Sequence, residues 1–436
     1  MNAREAALST LLKTVQSRGY SNIELDAAIK KFGLSGVERS FFTALFYGVI
    51  ERKITLDYII SRLSSRKWED IDIKVLAIIE MGIYQLRYMD KVPESAAVNE
   101  SVKLCERFMA PKNSGAFVNA VLRNYIRSKD ELGITEKKLG RIKYLSILYS
   151  VPEWICEMWQ SEYGDECEKM LEAFSHAPYM TLRVNTLKTT VDEFLSMLEE
   201  RGIPATRGKF ASTAVNLRAS VSLDALAGLE EYYFVQDEAS QLAVLTLGAR
   251  EGETVIDCCA CPGGKSIGTA ILMGNEGKII SLDLHKSKLG LITKSAERLG
   301  VSIIETSVQN GTEVKDGMPV ADKIICDVPC SGLGVIAKKP DIRHKKREEI
   351  ENLPVIQRKI LETNAAYLKS GGDMIYSTCT LNPEENKNIV LDFLASHSEF
   401  SLCPFEIGGV ENSGMTELFP HVHKTDGFFI AKLHKN

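Results

Sequence analysis

Along the first third of the chain, apolar residues recur every three to four positions in stretches 6–15, 41–50, 56–63, 75–86 and 116–126. That is the period of one helix face, so each stretch is expected to be a helix. Glycine, proline and serine interrupt the pattern at 19–21, 33–36, 91–93 and 111–115. No internal repeat is visible, and residues 1–127 read as a compact all-α bundle. A charged, aromatic-free stretch at 128–140 has the composition of a linker, and more helix is expected over 142–174. The pattern then changes. Strands are expected at 179–184, 214–217 and 232–235 and a helix at 191–201, which makes a small α+β module. From residue 238 strands and helices alternate, with strands at 254–256, 278–282, 302–305, 323–326 and 373–376 and a last one at 427–433. Alternation of this kind predicts a mostly parallel sheet with helices on both faces, a Rossmann-like α/β domain. The expected division is 1–130, 131–235 and 236–436.

Composition adds limits. The chain has 436 residues, 44% hydrophobic and 25% charged, as globular proteins do. No run approaches the roughly 18 apolar residues that would span a bilayer, and the N-terminus reads as an amphipathic helix, not a signal peptide. A cytoplasmic protein without membrane contact is expected. The ten cysteines are scattered, some within apolar runs, which favours reduced thiols over a disulfide framework. Net charge is −5, but residues 1–150 carry +7 and the remainder −12. A basic front on an acidic body is compatible with RNA contact by one domain, and solvated helix faces alone would also produce it.

Candidate chemistry begins at Val255–Gly268, reading VIDCCACPGGKSIG. A strand runs through Gly263 and Gly264 into a helix near Lys265, an arrangement that presents backbone amides to a nucleotide-like ligand. A triphosphate loop would need glycine where Cys259 stands, and a dinucleotide fingerprint needs a wider glycine array. Asp283 closes the next strand, where a carboxylate can accept from both hydroxyls of a ribose; the position equally suits a helix cap. Cys258, Cys259 and Cys261 lack a matching second ligand pair, so no metal site is expected.

Two more cysteines follow predicted strands: Cys330 in Asp327-Val328-Pro329-Cys330-Ser331-Gly332, and Cys379 in Ser377-Thr378-Cys379-Thr380. In an α/β sheet that places both at the ligand-binding edge. Two thiols and an acid suit methyl transfer to carbon 5 of a pyrimidine. A thiolate adding at carbon 6 makes carbon 5 nucleophilic, an acid at ring nitrogen 3 stabilises the adduct, and a base must remove the carbon 5 proton before release. Residue chemistry alone does not rank the two cysteines.

Taken together, Cys259–Lys265, Asp327–Gly332, Lys339-Pro340-Asp341-Ile342, and Ser377-Thr378-Cys379-Thr380 with its following Asn-Pro-Glu-Glu-Asn resemble the RNA cytosine-5 methyltransferase family. The helical front end, with Arg39, VPESAAVN at 92–99 and FVNAVLRN at 117–124, resembles the RNA-binding fold of the NusB antitermination factor. Leu182-Arg183-Val184-Asn185 and Val235–Ser240 lie between, and the combination is similar to bacterial methyltransferases of 16S ribosomal RNA. The resemblance implies a NusB-like bundle, an RRM-like module and a class I methyltransferase domain. It further implies S-adenosylmethionine as cofactor and small-subunit ribosomal RNA as substrate. Cys379 would be the nucleophile, Cys330 would serve product release, Asp327 would contact the base, and Lys265 would lie beside the reacting groups. The cofactor would rest on Cys259, Ala260, Cys261, Pro262, Gly263, Gly264 and Lys265, with Asp283 at its ribose and Lys288, Asn310 and Asp327 nearby.

One position departs from the family pattern. Gln309-Asn310-Gly311 stands where an aspartate turn is usual, though the Asn310 carbonyl can accept from an adenine amino group. A basic run, Lys338, Lys339, Arg343, His344, Lys345, Lys346 and Arg347, is expected to contact phosphate. The target cytosine must be unpaired or flipped out to expose carbon 6. A monomer is expected. Competing readings are methylation of uracil, of DNA or of another RNA, and a non-catalytic RNA-binding assembly factor.

Overall fold

The computed structural model describes residues 1–17, 21–176, 179–218 and 221–436. The chain forms two compact units, Met1–Glu172 with Lys339–Lys345, and Ala173–Lys338 with Lys346–Asn436.

The first unit is helical. Its helices are α1 (Ala3–Ser17), α2 (Ser21–Phe32), α3 (Gly36–Glu51), α4 (Lys53–Leu63), α5 (Ile73–Tyr88), α6 (Glu94–Arg107), α7 (Ser114–Ser128), α8 (Glu136–Leu139), α9 (Arg141–Tyr149), α10 (Glu153–Tyr163) and α11 (Glu166–Ala173). All five expected helices of the bundle form. Two more, α2 and α6, escape the apolar pattern because their inward faces interleave few large apolar residues with small or polar ones: Leu25 with Ser21 and Ala28 in α2, and Val98 and Leu104 with Ala97, Ser101 and Cys105 in α6. Of the break expected at 19–21, residues 19 and 20 lie outside the described residues. Phe42, Phe46, Leu56, Ile78, Val118 and Leu122 form the apolar centre. Within the stretch expected as linker, short helical turns form at Lys129–Glu131 and in α8.

The second unit holds three sheets. The first joins β1 (Met180–Val184), β2 (Ala205–Arg207), β3 (Ala214–Leu217) and β4 (Tyr233–Val235) in the order β2-β3-β1-β4, all antiparallel, with α12 (Val191–Glu200) beside it. A Thr190/Glu193 capping box starts α12 and is worth about 1 kcal/mol. Strand β2 was hidden in the sequence because it is a mostly exposed edge with no alternation.

The large sheet follows α13 (Glu238–Leu247). Its elements in chain order are β5 (Thr254–Asp257), α14 (Gly264–Leu272), β6 (Lys278–Asp283), α15 (Lys286–Leu299), β7 (Ile304–Val308), β8 (Ala321–Asp327), α16 (Leu353–Ala365), β9 (Leu368–Thr378), α17 (Lys387–Ser396), β10 (Phe400–Leu402), β11 (Phe405–Ile407), β12 (Val410–Asn412), β13 (Met415–Leu418), α18 (Pro420–His423) and β14 (Phe428–Lys435). Strand order in the large sheet is β10-β14-β9-β8-β5-β6-β7, with β13 also on β14; β11 and β12 pair only with each other, as a separate two-stranded sheet. Strands β5 to β9 pair in parallel, as expected; β14, β10 and β13 are antiparallel, so the sheet is mixed. The chain returns to β14 from β13 through a hairpin-like turn, which antiparallel neighbours permit without a crossover. The order in which strands are added reverses between β5 and β8, the switch point where such sheets bind ligands.

Candidate active site

The carboxyl ends of β5, β6, β8 and β9 carry, in turn, the Cys258–Gly264 loop, Asp283, Asp327 and Cys379. Because these strands are parallel, the four groups share one edge of the sheet.

The loop is held by backbone contacts. Cys258 N donates to Ile325 O at 3.0 Å and Ala260 N to Leu282 O at 2.8 Å. The Cys261–Pro262 bond is cis. Gly263 has φ +109, and a Cβ there would press on Ile292 at 3.0 Å, so the turn into α14 needs glycine. First-turn amides of α14 have no carbonyl one turn back and are available to a ligand. Asp283 accepts from Cys261 N at 3.3 Å and His285 N at 2.9 Å, which aims its carboxylate across the loop. Lys288 sits on exposed α15, close enough to lower the Cys261 thiol, while burial pushes that thiol up to about 12. Beneath the loop Asp257 is buried. It accepts from Ser266 Oγ at 2.6 Å, and Ser281 Oγ donates to Ser266 Oγ at 2.7 Å. Burial pushes the Asp257 carboxyl up to about 7. Asn310 spends its side chain locally: Oδ1 accepts from Thr312 N at 3.2 Å and Thr312 Oγ1 at 2.9 Å, and Nδ2 donates to Glu313 at 2.8 Å. An adenine contact there would have to displace Thr312.

The two later cysteines come together. Cys330 Sγ lies 3.2 Å from Cys379 Sγ. Both are half-buried and both are free thiols. Lys265 Nζ donates to Asp327 Oδ2 at 2.6 Å, and Ser377 Oγ to Asp327 Oδ1 at 2.8 Å, so the acid is fixed at both oxygens. The Lys265 ammonium also lies 5.2 Å from the centre of the Phe428 ring. Hydrogen bonding to Cys379, then burial, then the Cys379, Glu385 and Asp327 charges hold the Cys330 thiol well above the ordinary thiol range. The eye-catching trio behaves differently. Cys258 is buried with its Sγ 3.5 Å from Cys326 Sγ, and the Cys259 thiol is raised by its bond to Cys258 and by burial. Among the described residues no group of three His, Cys, Asp or Glu side chains is gathered as a metal site.

The basic run is not a uniform phosphate surface, and the expectation needs correcting. Arg343 is 1% exposed and donates to Tyr149 O at 2.8 Å and Ser150 O at 3.2 Å within the helical unit. His344 Nε2 lies 3.1 Å from Ile50 O, and Lys338 is ion-paired at 2.5 Å to Asp237 and 2.8 Å to Asp426. Segment Lys339–Lys345 is part of the first unit, with Asp341 accepting from Ser21 Oγ at 2.6 Å. Lys338 and His344 are exposed but tied to these carboxylate and carbonyl partners, Lys345 is half-buried, and Lys339, Lys346 and Arg347 are exposed as well. The sequence reading also passed over Ser331, Gln357, Ser377 and Glu385. Glu385 was visible only as part of Asn-Pro-Glu-Glu-Asn, a string that does not say which acid turns inward.

A mostly parallel sheet whose winding order reverses between β5 and β8, with a glycine-turned loop opposite an acidic strand end, is a Rossmann-like fold. Three family models match in order: the NusB family over residues 1–127, the ferredoxin-like domain of RsmF/B-like methyltransferases over 151–224, and the 16S rRNA methyltransferase RsmB/F over 244–434. The probable ribosomal RNA small subunit methyltransferase B of Bacillus subtilis is 34% identical over 100% of this chain and 99% of its own, and that of Synechocystis is 35% identical over 100% of both. The crystal structure of PH0851 has a TM-score of 0.82 at 26% identity, covering 100% of this chain and 99% of that one. A methyltransferase homolog protein from Pyrococcus horikoshii has a TM-score of 0.60 at 28% identity, covering 68% of this chain and 99% of its own. The chain belongs to the ribosomal RNA small subunit methyltransferase B family.

Proposed function

We propose that this methyltransferase moves a methyl group from S-adenosylmethionine to carbon 5 of a cytosine in 16S ribosomal RNA, through a covalent bond between Cys379 and carbon 6. The observation that carries the reading is the Cys330–Cys379 sulfur pair, 3.2 Å apart, beside the Lys265–Asp327 ion pair. The cofactor fits this edge: the Gly263 turn that a Cβ would block leaves backbone against which the methionine part can lie, and Asp283 is aimed where a ribose diol would stand. Cys259 to Gly264 and Asp283 would hold it, with Lys288 and Asn310 flanking. When bound, it supplies an electrophilic methyl group.

The side chains do the rest. The Cys379 thiolate adds to carbon 6, and the ring's electron pair moves to carbon 5. Asp327 passes to ring nitrogen 3 a proton supplied by its Lys265 partner, which neutralises the adduct, and the proton returns by the same path when the adduct collapses. Carbon 5 then takes the methyl group. Release needs loss of the carbon 5 proton, reformation of the 5,6 double bond and departure of the Cys379 sulfur; in this reading Cys330 gives its proton to the departing Cys379 sulfur and takes the carbon 5 proton in its place. Tritium release from RNA labelled at carbon 5 tests the reading. Release from cytosine-labelled 16S RNA, with bisulfite-resistant cytosine appearing in the product, is expected. Release from uracil-labelled RNA alone would refute the choice of base, and transfer without tritium release would refute the position.

A further inference from the structure

The two cysteine-bearing segments are joined through one buried carboxylate. Glu385 is fully buried and follows the Cys379 strand by six residues. Its Oε2 accepts from Ser331 N at 2.8 Å and Gln357 Nε2 at 2.8 Å. Its Oε1 accepts from Asn382 Nδ2 at 2.9 Å and, very closely, from Ser331 Oγ. Gln357 Nε2 also donates to Pro329 O at 2.9 Å. The Ser331 hydroxyl proton is committed to Glu385, so Thr380 Oγ1, 2.7 Å away, must donate to Ser331. The residues on either side of Cys330 and the residue after Cys379 thus hang on the same group. All four partners of the carboxylate are neutral donors, which is the set an ionised carboxylate requires.

Resting on the reading that Cys379 attacks cytosine, we infer that Glu385 is a positioning residue: it fixes the Cys330 loop against Cys379, and its charge keeps the shared proton on Cys330. Cys330 sits 3.2 Å from Cys379 and next to Ser331, which Glu385 holds. The charges of Cys379, Glu385 and Asp327 act on its thiol, Tyr376 is within the same electrostatic range, and Lys265 is ion-paired to Asp327. With a fixed anion on the Cys330 side, the proton lost from the pair leaves from Cys379, and Cys330 becomes the hydrogen-bond donor. This supplies a physical reason for the division of labour that the sequence left open.

The test reads the thiols directly, in full-length enzyme without RNA or cofactor. Iodoacetamide labelling of Cys379 and Cys330 is followed across pH 6–9 by peptide mass spectrometry, in wild type, Glu385→Gln and Ser331→Ala. Wild type is expected to label Cys379 in preference to Cys330. Glu385→Gln should shrink that preference about tenfold, one pKa unit's worth, and lower kcat about 10- to 100-fold with the KM for cofactor unchanged. Ser331→Ala keeps the charge and loses one anchor, so kcat should fall while the labelling preference stays. Unchanged preference in a folded Glu385→Gln, or an equal loss of preference in Ser331→Ala, overturns the inference. Should Glu385→Gln not fold, Glu385→Asp must retain the Cys379 preference, and its loss overturns the charge argument. A shifted labelling ratio in an enzyme that never methylates cytosine would sink the proposed function and leave this inference standing.

Discussion

Two groups of cysteines in one domain behave in opposite ways. Cys258 and Cys259, the first loop residues after β5, and Cys326, inside β8, turn their thiols into an apolar cluster, where thiols pack as small hydrophobes. Cys330 and Cys379 lie beyond the strand ends, half-buried, sulfur to sulfur, with Asp327, Lys265 and Glu385 around them. Residue type is identical in both groups. Chain position does not make the contrast, since Cys258 and Cys259 also follow a strand end; it comes from what the side chains meet, apolar core residues for Cys258, Cys259 and Cys326 and each other for Cys330 and Cys379.

The comparison breaks first at Cys379. Cys379→Ala should reduce transfer on the order of 10³-fold or more in a methyl-incorporation assay, whereas Cys258→Ala should stay within about twofold of wild type. Asp327→Asn, which keeps shape but removes the acid, should cost about 10²-fold in kcat. In the helical unit, Arg343→Ala should destabilise by about 2–3 kcal/mol in urea unfolding without changing the salt dependence of RNA binding, because its guanidinium satisfies buried carbonyls. Arg347→Ala, exposed, should do the reverse. Stability should also track Asp257. Its folded pKa, about 7, lies above the ordinary carboxylate value, so the folded state keeps a proton that the unfolded chain gives up between about pH 4 and 7. Stability therefore falls as pH rises through that window, and Asp257→Asn should make the decline in Tm shallower. The smallest effect is Cys258→Ala on stability, about 1 kcal/mol for a small cavity.

Much of this was legible in the chain. Strands β5, β6, β8 and β9 announced themselves as apolar runs, and short motifs at their ends marked Asp283, Asp327, Cys330 and Cys379. Strand β7 lies two to three residues later than expected, since Ser302 and Ile303 resemble strand by composition but precede the ladder. What the sequence hid is tertiary. Arg343 reads as a surface cation until the carbonyls of Tyr149 and Ser150, almost two hundred residues earlier, are placed beside it. Glu385 reads as one of two adjacent acids, and only the fold shows that Glu384 faces solvent while Glu385 faces Ser331. The Asn310 carbonyl reads as available, and its local turn with Thr312 appears only in three dimensions.

The central claim is that Cys379 makes the bond to RNA and Cys330 serves to break it. Incubating Cys330→Ala, Cys379→Ala and the double variant with labelled 16S RNA and S-adenosylmethionine, followed by denaturing gel electrophoresis, tests it directly. The account predicts a stable protein–RNA band for Cys330→Ala and none for the other two. A band with Cys379→Ala, or none with Cys330→Ala, would contradict it.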